Sequence, residues 1–251
     1  MLIVAPNPWL PYCGAAPPPD EWLAHWNLDP VLLVAITGVA ALFWWRPPEG
    51  GSRRAQGGLL ALTALLFISP FCALGSALFI ARIVHHVVLA TALAVLAVSA
   101  LGLHRRPIAG SLAAWTALQA LLFWAWHAPP LYAAALSSDA LFWMMQAMIA
   151  GSATVWWAKL RQAEAAGAVV ALLATMVLMG VLGALITFAG RPLYAPHWLT
   201  TQAWGLSPLE DQQIAGILMW APASAIYLLT AMAILYRTLG PQAQPPGRRR
   251  A

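Results

Sequence analysis

Histidine, methionine and acidic side chains recur at helical spacing inside the apolar segments of this 251-residue sequence. Met144 and Met148 share one helix face, and Asp211, Ala215 and Met219 form a second line of the same kind. Imidazole and thioether groups suit Cu(I) better than they suit hard cations. If these faces point inward, they predict a shallow cavity that binds copper. The candidate metal ligands are His85, His86, His127, Met148, Met219 and Asp211.

Each of these residues also has a plainer structural interpretation. Methionines on an apolar helix most often serve packing, and His85 and His86 are neighbours about 100° apart, so at most one of them faces a given site. Arg82 shares a face with His86, which disfavours a cation there unless Glu210 or Asp211 neutralises the charge. The two acidic residues can equally stabilise the N-terminus of a helix. The remaining histidines are expected to be solvated at the interface: His25, His104 and His197.

Other chemistries lack the residues they need. The sequence contains no glycine-rich phosphate loop, no GxSxG and no HExxH motif. Lys159, the single lysine, falls at a helix end, which excludes a retinal Schiff base within a span. A haem held between two helices would have to use His85 or His86 with His127, a weak but open alternative. We therefore expect a protein without enzymatic turnover.

The elements that must position these side chains are membrane helices. Hydrophobic residues make up 61% of the chain and charged residues 8%, which excludes an ordinary soluble enzyme. The net charge of +5 does not indicate nucleic-acid binding, because most basic residues lie in short connections between apolar segments. Each apolar segment has close to the about 20 residues needed to cross a bilayer. The predicted fold is an all-α polytopic bundle of seven transmembrane helices at 30–46, 57–75, 78–102, 108–126, 140–158, 166–189 and 212–236.

The basic residues also predict the orientation. Eleven lie on alternate connections that would share one side of the membrane, and only Arg191 lies on the other. The positive-inside rule then predicts an outside N-terminus and a cytoplasmic C-terminus. We divide the chain into a proline-rich extracytoplasmic segment (1–29), the seven-helix domain (30–238) and a disordered basic tail (239–251). Cys13 and Cys72 fall on the same outer side, so a disulfide between them is open on topology alone.

Three stretches of the sequence resemble a known family. They are Arg82-Ile-Val-His-His-Val-Val-Leu89 after Ser69-Pro70, Trp126-His-Ala-Pro-Pro-Leu-Tyr132 leading to Trp156-Trp157, and Leu209-Glu-Asp-Gln-Gln213 running on to Met219-Trp220-Ala221-Pro222. Together they resemble the CtaG-like family of cytochrome c oxidase assembly factors, over about residues 60–238. The third stretch is the most specific of the three.

The resemblance implies a seven-span protein of the bacterial inner membrane that assists assembly of a haem–copper oxidase, by copper delivery or insertion at the extracytoplasmic face. It matches His86, His127, Asp211 and Met219 to family positions. Two family histidines are missing. In span three the family has His-Met-x-Gln-His, where this chain has Arg82 in first position and His85 in place of the glutamine, and in span five Ala147 stands where a histidine is common.

The implied partners are the lipid bilayer and an oxidase subunit or a copper chaperone, with a second copy of the chain as a further candidate. A different class of function stays open. The chain would then be a permanent accessory subunit of a respiratory membrane complex, either structural or holding haem or quinone. The incomplete set of histidines and the many aromatic residues motivate this alternative.

Overall fold

The computed structural model describes residues 11–240, and no strand occurs among them. The all-α prediction is therefore confirmed for this part of the chain. Residues 1–10 of the predicted proline-rich segment (1–29) and residues 241–251 of the predicted basic tail (239–251) lie outside the described residues. The α-helices are α1 Pro30–Trp45, α2 Arg53–Phe67, α3 Phe71–Ala77, α4 Phe79–Val88, α5 Ala94–Ala100, α6 Leu112–His127, α7 Pro129–Ala135, α8 Asp139–Gln162, α9 Ala165–Thr187 and α10 Pro208–Leu239.

Four stretches of helix are long and apolar enough to cross a membrane: Arg53–Ala77, Phe79–Ala100, Ala165–Thr187 and Pro208–Leu239. A fifth exists if α7 and α8, which meet at a bend of 119°, count as one span. The predicted segments at 30–46 and 108–126 form α1 and α6, but each helix has only 16 residues. Because crossing takes about 20 residues, the count of seven spans stays a prediction.

The helix that carries His85 and His86 contains a π-helical turn at Leu89–Leu93, which joins α4 to α5. A π turn widens the helix and displaces its hydrogen bonds. The indole nitrogen of Trp157 on α8 donates to the carbonyl oxygen of Ala90 at 3.0 Å. This bond fastens α8 to the widened turn and holds the two helices in one register.

Helices α9 and α10 pack together through glycine. A Cβ atom at Gly183 would lie 2.8 Å from the carbonyl oxygen of Gly216, and one at Gly216 would lie 2.7 Å from that of Gly183. Only glycine permits so close an approach of two backbones. Gly183 on α9 and Gly216 on α10 are therefore matched helix-packing residues.

We call the end of the bundle at which α4, α8 and α10 begin the site end. The segment 11–29 crosses this end and is bound there by a disulfide between Cys13 and Cys72 on α3, with the two Cα atoms 5.3 Å apart. Asn27 adds a hydrogen bond from its side-chain nitrogen to the carbonyl oxygen of Phe67. Both cysteines are buried. Cys13 and Cys72, whose pairing the sequence did not decide, therefore form a disulfide.

The loop 188–207 closes the site end from the other side. Gln212 on α10 accepts a hydrogen bond from the backbone of Leu193 and donates to the carbonyl oxygens of Ile186 and Arg191. The hydroxyl of Thr200 donates to the carbonyl oxygen of Ala77 at 2.6 Å. One buried amide thus folds the loop back onto the bundle.

Candidate functional site

His86 and His127 form the centre of the site. Nδ1 of His86 lies 3.1 Å from Nε2 of His127, and Nδ1 of His127 lies 2.6 Å from the carbonyl oxygen of Phe123. A carbonyl oxygen only accepts, so Nδ1 of His127 carries a proton. In a neutral ring, Nε2 of His127 is then an acceptor, and Nδ1 of His86 donates to it. The lone pair of His86 is left on Nε2, which has no partner.

The sequence predicted both His86 and His127 as metal ligands, but this arrangement gives the two residues different roles. His127 uses both ring nitrogens in hydrogen bonds, so an ion at its Nε2 would have to replace the bond to His86. His86 has a free nitrogen in the dry interior and an orienting partner on the other nitrogen. Metal-binding histidines usually show this pattern, because the second hydrogen bond fixes the tautomer and the ring orientation. Within this geometry His86 fits a ligand and His127 fits a positioning residue.

His85 points to another part of the interior. Its ring lies 4.9 Å from the ring of Phe67 and stacks on Phe71 at 6.1 Å, measured between centroids. Neither of its nitrogens has a hydrogen-bond partner, although the side chain is fully buried. Buried polar groups are seldom left unsatisfied. His85 is thus a second free imidazole beside His86, with a ring-centroid separation of 6.0 Å.

Met219 is buried at the depth of His86. Met219 lies eight residues into α10 from Asp211, and His86 lies seven residues into α4 from Phe79. Asp211 binds the first turn of α4, so both side chains sit about 10–12 Å below that contact. Met145 on α8 and Met179 on α9 are buried as well.

The prediction that the α8 face carrying Met144 and Met148 points inward is wrong. Met148, predicted as a ligand, is 37% exposed, and Met144 is exposed beside it. The buried face of α8 carries Met145 and Gln146 instead, and neither polar atom of the Gln146 side chain has a partner. A spacing of four residues identifies a face but not the direction it points. Gln146 is the signal that could have shown it, because an amide avoids lipid.

Asp211 has a structural task. Its carboxylate oxygens accept hydrogen bonds from the backbone nitrogens of Phe79, at 2.8 Å, and Ile80, at 3.1 Å. These donors belong to the first turn of α4, where a helix has no internal acceptors. An anion is favoured there by the helix dipole as well. Asp211 is committed to this contact, and its neighbour Glu210 caps its own helix through Ser207.

Arg82 is the charge that any ligand here would meet. The side chain is fully buried. Its Nε donates to the carbonyl oxygen of Gly75 at 3.3 Å, and Nη2 lies 3.9 Å from the sulfur of Cys13. The guanidinium also lies 5.2 Å above the ring of Phe142, and Nη1 has no partner. A fixed positive charge disfavours any cation nearby, and it disfavours a divalent ion more than singly charged Cu(I).

Sequence reasoning missed an aromatic and histidine layer from the loop 188–207. His197, expected at the interface, is buried, and its Nε2 lies 2.7 Å from the hydroxyl of Tyr132. Burial, together with the charge of Arg82, lowers the pKa of His197 to about 3, so the ring is neutral. The hydroxyl of Tyr194 donates to the carbonyl oxygen of His127, and burial raises the pKa of that hydroxyl. No pattern in the sequence indicated that this loop folds inward.

The donor set limits which metals the site can hold. Within residues 11–240, no group of three or more histidine, cysteine, aspartate or glutamate side chains is arranged to hold a metal ion. A zinc, calcium or magnesium site needs more such ligands. Imidazole and thioether donors fit copper in its reduced state. His86 and Met219 supply one imidazole and one thioether at the same depth.

Comparison with known proteins supplies an independent observation. A family model described as cytochrome c oxidase caa3 assembly factor (Caa3_CtaG) matches residues 57–240. This match covers the whole site and confirms the resemblance drawn from the sequence. Neither the search of curated proteins nor that of solved structures gave a match.

Proposed function

Since this chain belongs to the cytochrome c oxidase caa3 assembly factor family, we propose that it holds Cu(I) briefly and passes it to a haem–copper oxidase at the extracytoplasmic membrane face. The proposal depends most on one observation, the buried and unpartnered Nε2 of His86. Met219 supplies thioether sulfur at the same depth. The protein acts as an assembly factor without catalytic turnover.

The Cys13–Cys72 disulfide supports the choice of membrane face. Disulfides persist in oxidising compartments and are rare in the cytosol. It lies at the site end, which the charge distribution of the sequence also assigns to the outside. In this proposal the chain crosses the inner membrane of a bacterium seven times, with its C-terminus in the cytoplasm. The partner is an oxidase subunit or a copper chaperone that approaches from the outer side.

The copper part is tested by Cu(I) affinity, measured by competition with a chromophoric Cu(I) chelator on protein in detergent. We expect His86→Ala and Met219→Leu to weaken binding at least about 10-fold, because each removes a ligand. Met148→Leu is the matched control, since it makes the same change on the exposed face of α8. Equal affinities in the wild type and His86→Ala, or no binding by either, would contradict the copper proposal.

The positioning role of His127 has its own test in the same assay. His127→Phe removes the acceptor for His86 Nδ1, and loss of such a partner typically costs about 10–100-fold in metal affinity. His127→Gln keeps an amide oxygen that can accept this hydrogen bond, so we expect partial rescue. If both variants lose the same affinity, the hydrogen bond is not what matters.

The assembly part is tested in a strain that lacks the gene. We expect oxidase activity and the copper content of the purified oxidase to fall together. The wild type and Met148→Leu should restore both, whereas His86→Ala should not. Unchanged oxidase activity in the deletion strain would overturn the assembly role in that strain.

A permanent accessory subunit is the second candidate. The buried charge of Arg82 and the lack of a three-ligand cluster within residues 11–240 favour it. In that case the chain copurifies with the oxidase in a fixed ratio, and His86→Ala leaves the oxidase fully active. A haem-binding version predicts a visible absorption spectrum for the purified chain.

A further inference from the structure

The end of the bundle opposite the site contains a cavity of about 700 Å³. Its walls are the π-helical turn, the last turns of α8, the start of α9 and the second half of α10. Thr91 and Trp157 line one side, and Ile226 and Ile234 line the other. The cavity shares no residue with the candidate site, and Thr91, its lining residue nearest to His86 in sequence, lies five positions after that histidine.

The cavity is apolar along its length and positively charged at one end. Most of the lining side chains are aliphatic, while Arg161 and Arg237 supply two guanidinium groups. No carboxylate is among the lining residues. Glu164, the nearest acidic residue in sequence, is exposed and lies at the N-cap of α9. The two positive charges therefore have no neutralising partner within the cavity.

The polar groups on the inner wall are already satisfied. The indole nitrogen of Trp157 donates to Ala90, and the hydroxyl of Thr91 donates to the carbonyl oxygen of Val87. Nη1 of Arg161 donates to the hydroxyl of Ser99 at 2.9 Å, which leaves its other N–H groups available. The ligand that complements this cavity has an apolar body and a single anionic end.

The length of the cavity indicates which kind of apolar group the ligand carries. Ile226 and Arg237, both on α10, are eleven residues apart, which corresponds to about 16 Å along a helix. One leaflet of a bilayer has about 15 Å of hydrocarbon, half of the total. The charged end therefore falls at the headgroup level of one leaflet when the apolar wall lies among its acyl chains.

We propose that this cavity is a binding site for an anionic phospholipid, with the phosphate between Arg161 and Arg237 and an acyl chain along the wall formed by Ile226 and Ile234. Arginine pairs with phosphate through parallel N–H donors. The site ties α8, α9 and α10 together at the end away from the disulfide. It does not depend on copper binding or on the oxidase.

Native mass spectrometry of the full chain tests the proposal. The purified protein is stripped of lipid and then supplied with phosphatidylglycerol or with phosphatidylcholine of the same acyl chains. We expect phosphatidylglycerol to bind at least about 10-fold more tightly than phosphatidylcholine, since basic residues near the membrane surface attract anionic lipid. Equal binding of the two lipids would overturn the proposal.

Two pairs of variants assign the effect to this cavity. Arg161→Gln with Arg237→Gln should reduce phosphatidylglycerol binding to the phosphatidylcholine level. Arg46→Gln with Arg106→Gln removes two exposed charges that do not line the cavity, and we expect it to change nothing. An equal loss in both pairs would show a general charge effect and contradict a defined site.

The acyl chain is tested separately. Ile226→Trp fills the cavity while leaving both arginines in place, and it should weaken phosphatidylglycerol binding. Millimolar inorganic phosphate should not displace the lipid, because it has no apolar part. Displacement by phosphate, or full binding by Ile226→Trp, would show that the acyl chain is not held there.

Discussion

Reduction of the Cys13–Cys72 disulfide should lower the free energy of unfolding by about 4 kcal/mol. The bond closes a loop with a sequence separation of 59, and the chain-entropy model gives a cost of this size when such a loop is opened. Chemical unfolding of the protein in detergent, followed by tryptophan fluorescence with and without a thiol reductant, measures the difference.

The double variant Cys13→Ala with Cys72→Ala is the control for that measurement. It should unfold at the same denaturant concentration as the reduced wild type, and the reductant should leave it unchanged. A wild type whose unfolding is insensitive to the reductant, while a free-thiol assay shows both cysteines reduced, would contradict the expectation.

The disulfide also bears on the site through Arg82. Cys13 sulfur is one of the few groups in contact with this buried guanidinium, together with Gly75 and the ring of Phe142. The segment 11–29 is held further by Trp204, whose indole nitrogen donates to the carbonyl oxygen of Pro17. Opening the bond frees the segment that covers Arg82. We therefore expect reduction to expose the site end to solvent as well as to destabilise the fold.

Tyr12 and Asp29, at the two ends of this segment, are joined by a hydrogen bond. The hydroxyl of Tyr12 donates to a carboxylate oxygen of Asp29 at 2.5 Å. Burial, followed by this bond, raises the pKa of Tyr12 to about 12, and the same bond is the main cause that lowers the pKa of Asp29. A lowered carboxyl pKa means that the contact stabilises the fold at neutral pH and weakens as Asp29 becomes protonated in acid.

Much of the helical structure follows directly from the sequence. Runs of apolar residues the length of a bilayer leave no other way to satisfy their backbone groups, and each predicted segment contains a helix. Helix α1 agrees with the predicted segment 30–46, whereas α6 begins at Leu112 and not at 108 because Ser111 caps its N-terminus. The predicted segment 57–75 is divided into α2 and α3 at Ser69-Pro70, since proline lacks the backbone donor that a continuing helix needs.

For the candidate site, the sequence identified several residues by type but not the directions in which their side chains point. His86 and His127 were identified by residue type, but which of them has a free nitrogen depends on a hydrogen bond between helices that are distant in sequence. Met148 was chosen by spacing alone, while the rotation of α8 buries Met145. His197 belongs to a loop whose inward fold depends on Gln212. Loop docking is a tertiary property that no local pattern encodes, and the rotation of α8 shows in the sequence only through Gln146 on its buried face.

Replacement of Asp211 by alanine should destabilise the protein by about 3 kcal/mol. The change leaves the backbone nitrogens of Phe79 and Ile80 without acceptors at the buried start of α4. Each unsatisfied buried donor costs about 1–3 kcal/mol. Asp211→Asn should cost less, since its amide oxygen can still accept one of the two bonds. Unfolding of the variants in detergent gives the values directly.

The neighbouring acid provides the matched control. Glu210 is exposed and accepts from the backbone of Ser207, a bond that Glu210→Gln retains, so its stability should stay within about 0.5 kcal/mol of the wild type. Cu(I) affinity then separates the two roles considered for Asp211. A structural anchor predicts that Asp211→Asn is less stable yet binds Cu(I) as the wild type does, while its His86→Ala derivative does not. If Asp211→Asn keeps full stability and loses Cu(I), the carboxylate is a ligand, and the anchoring of α4 is not its main task.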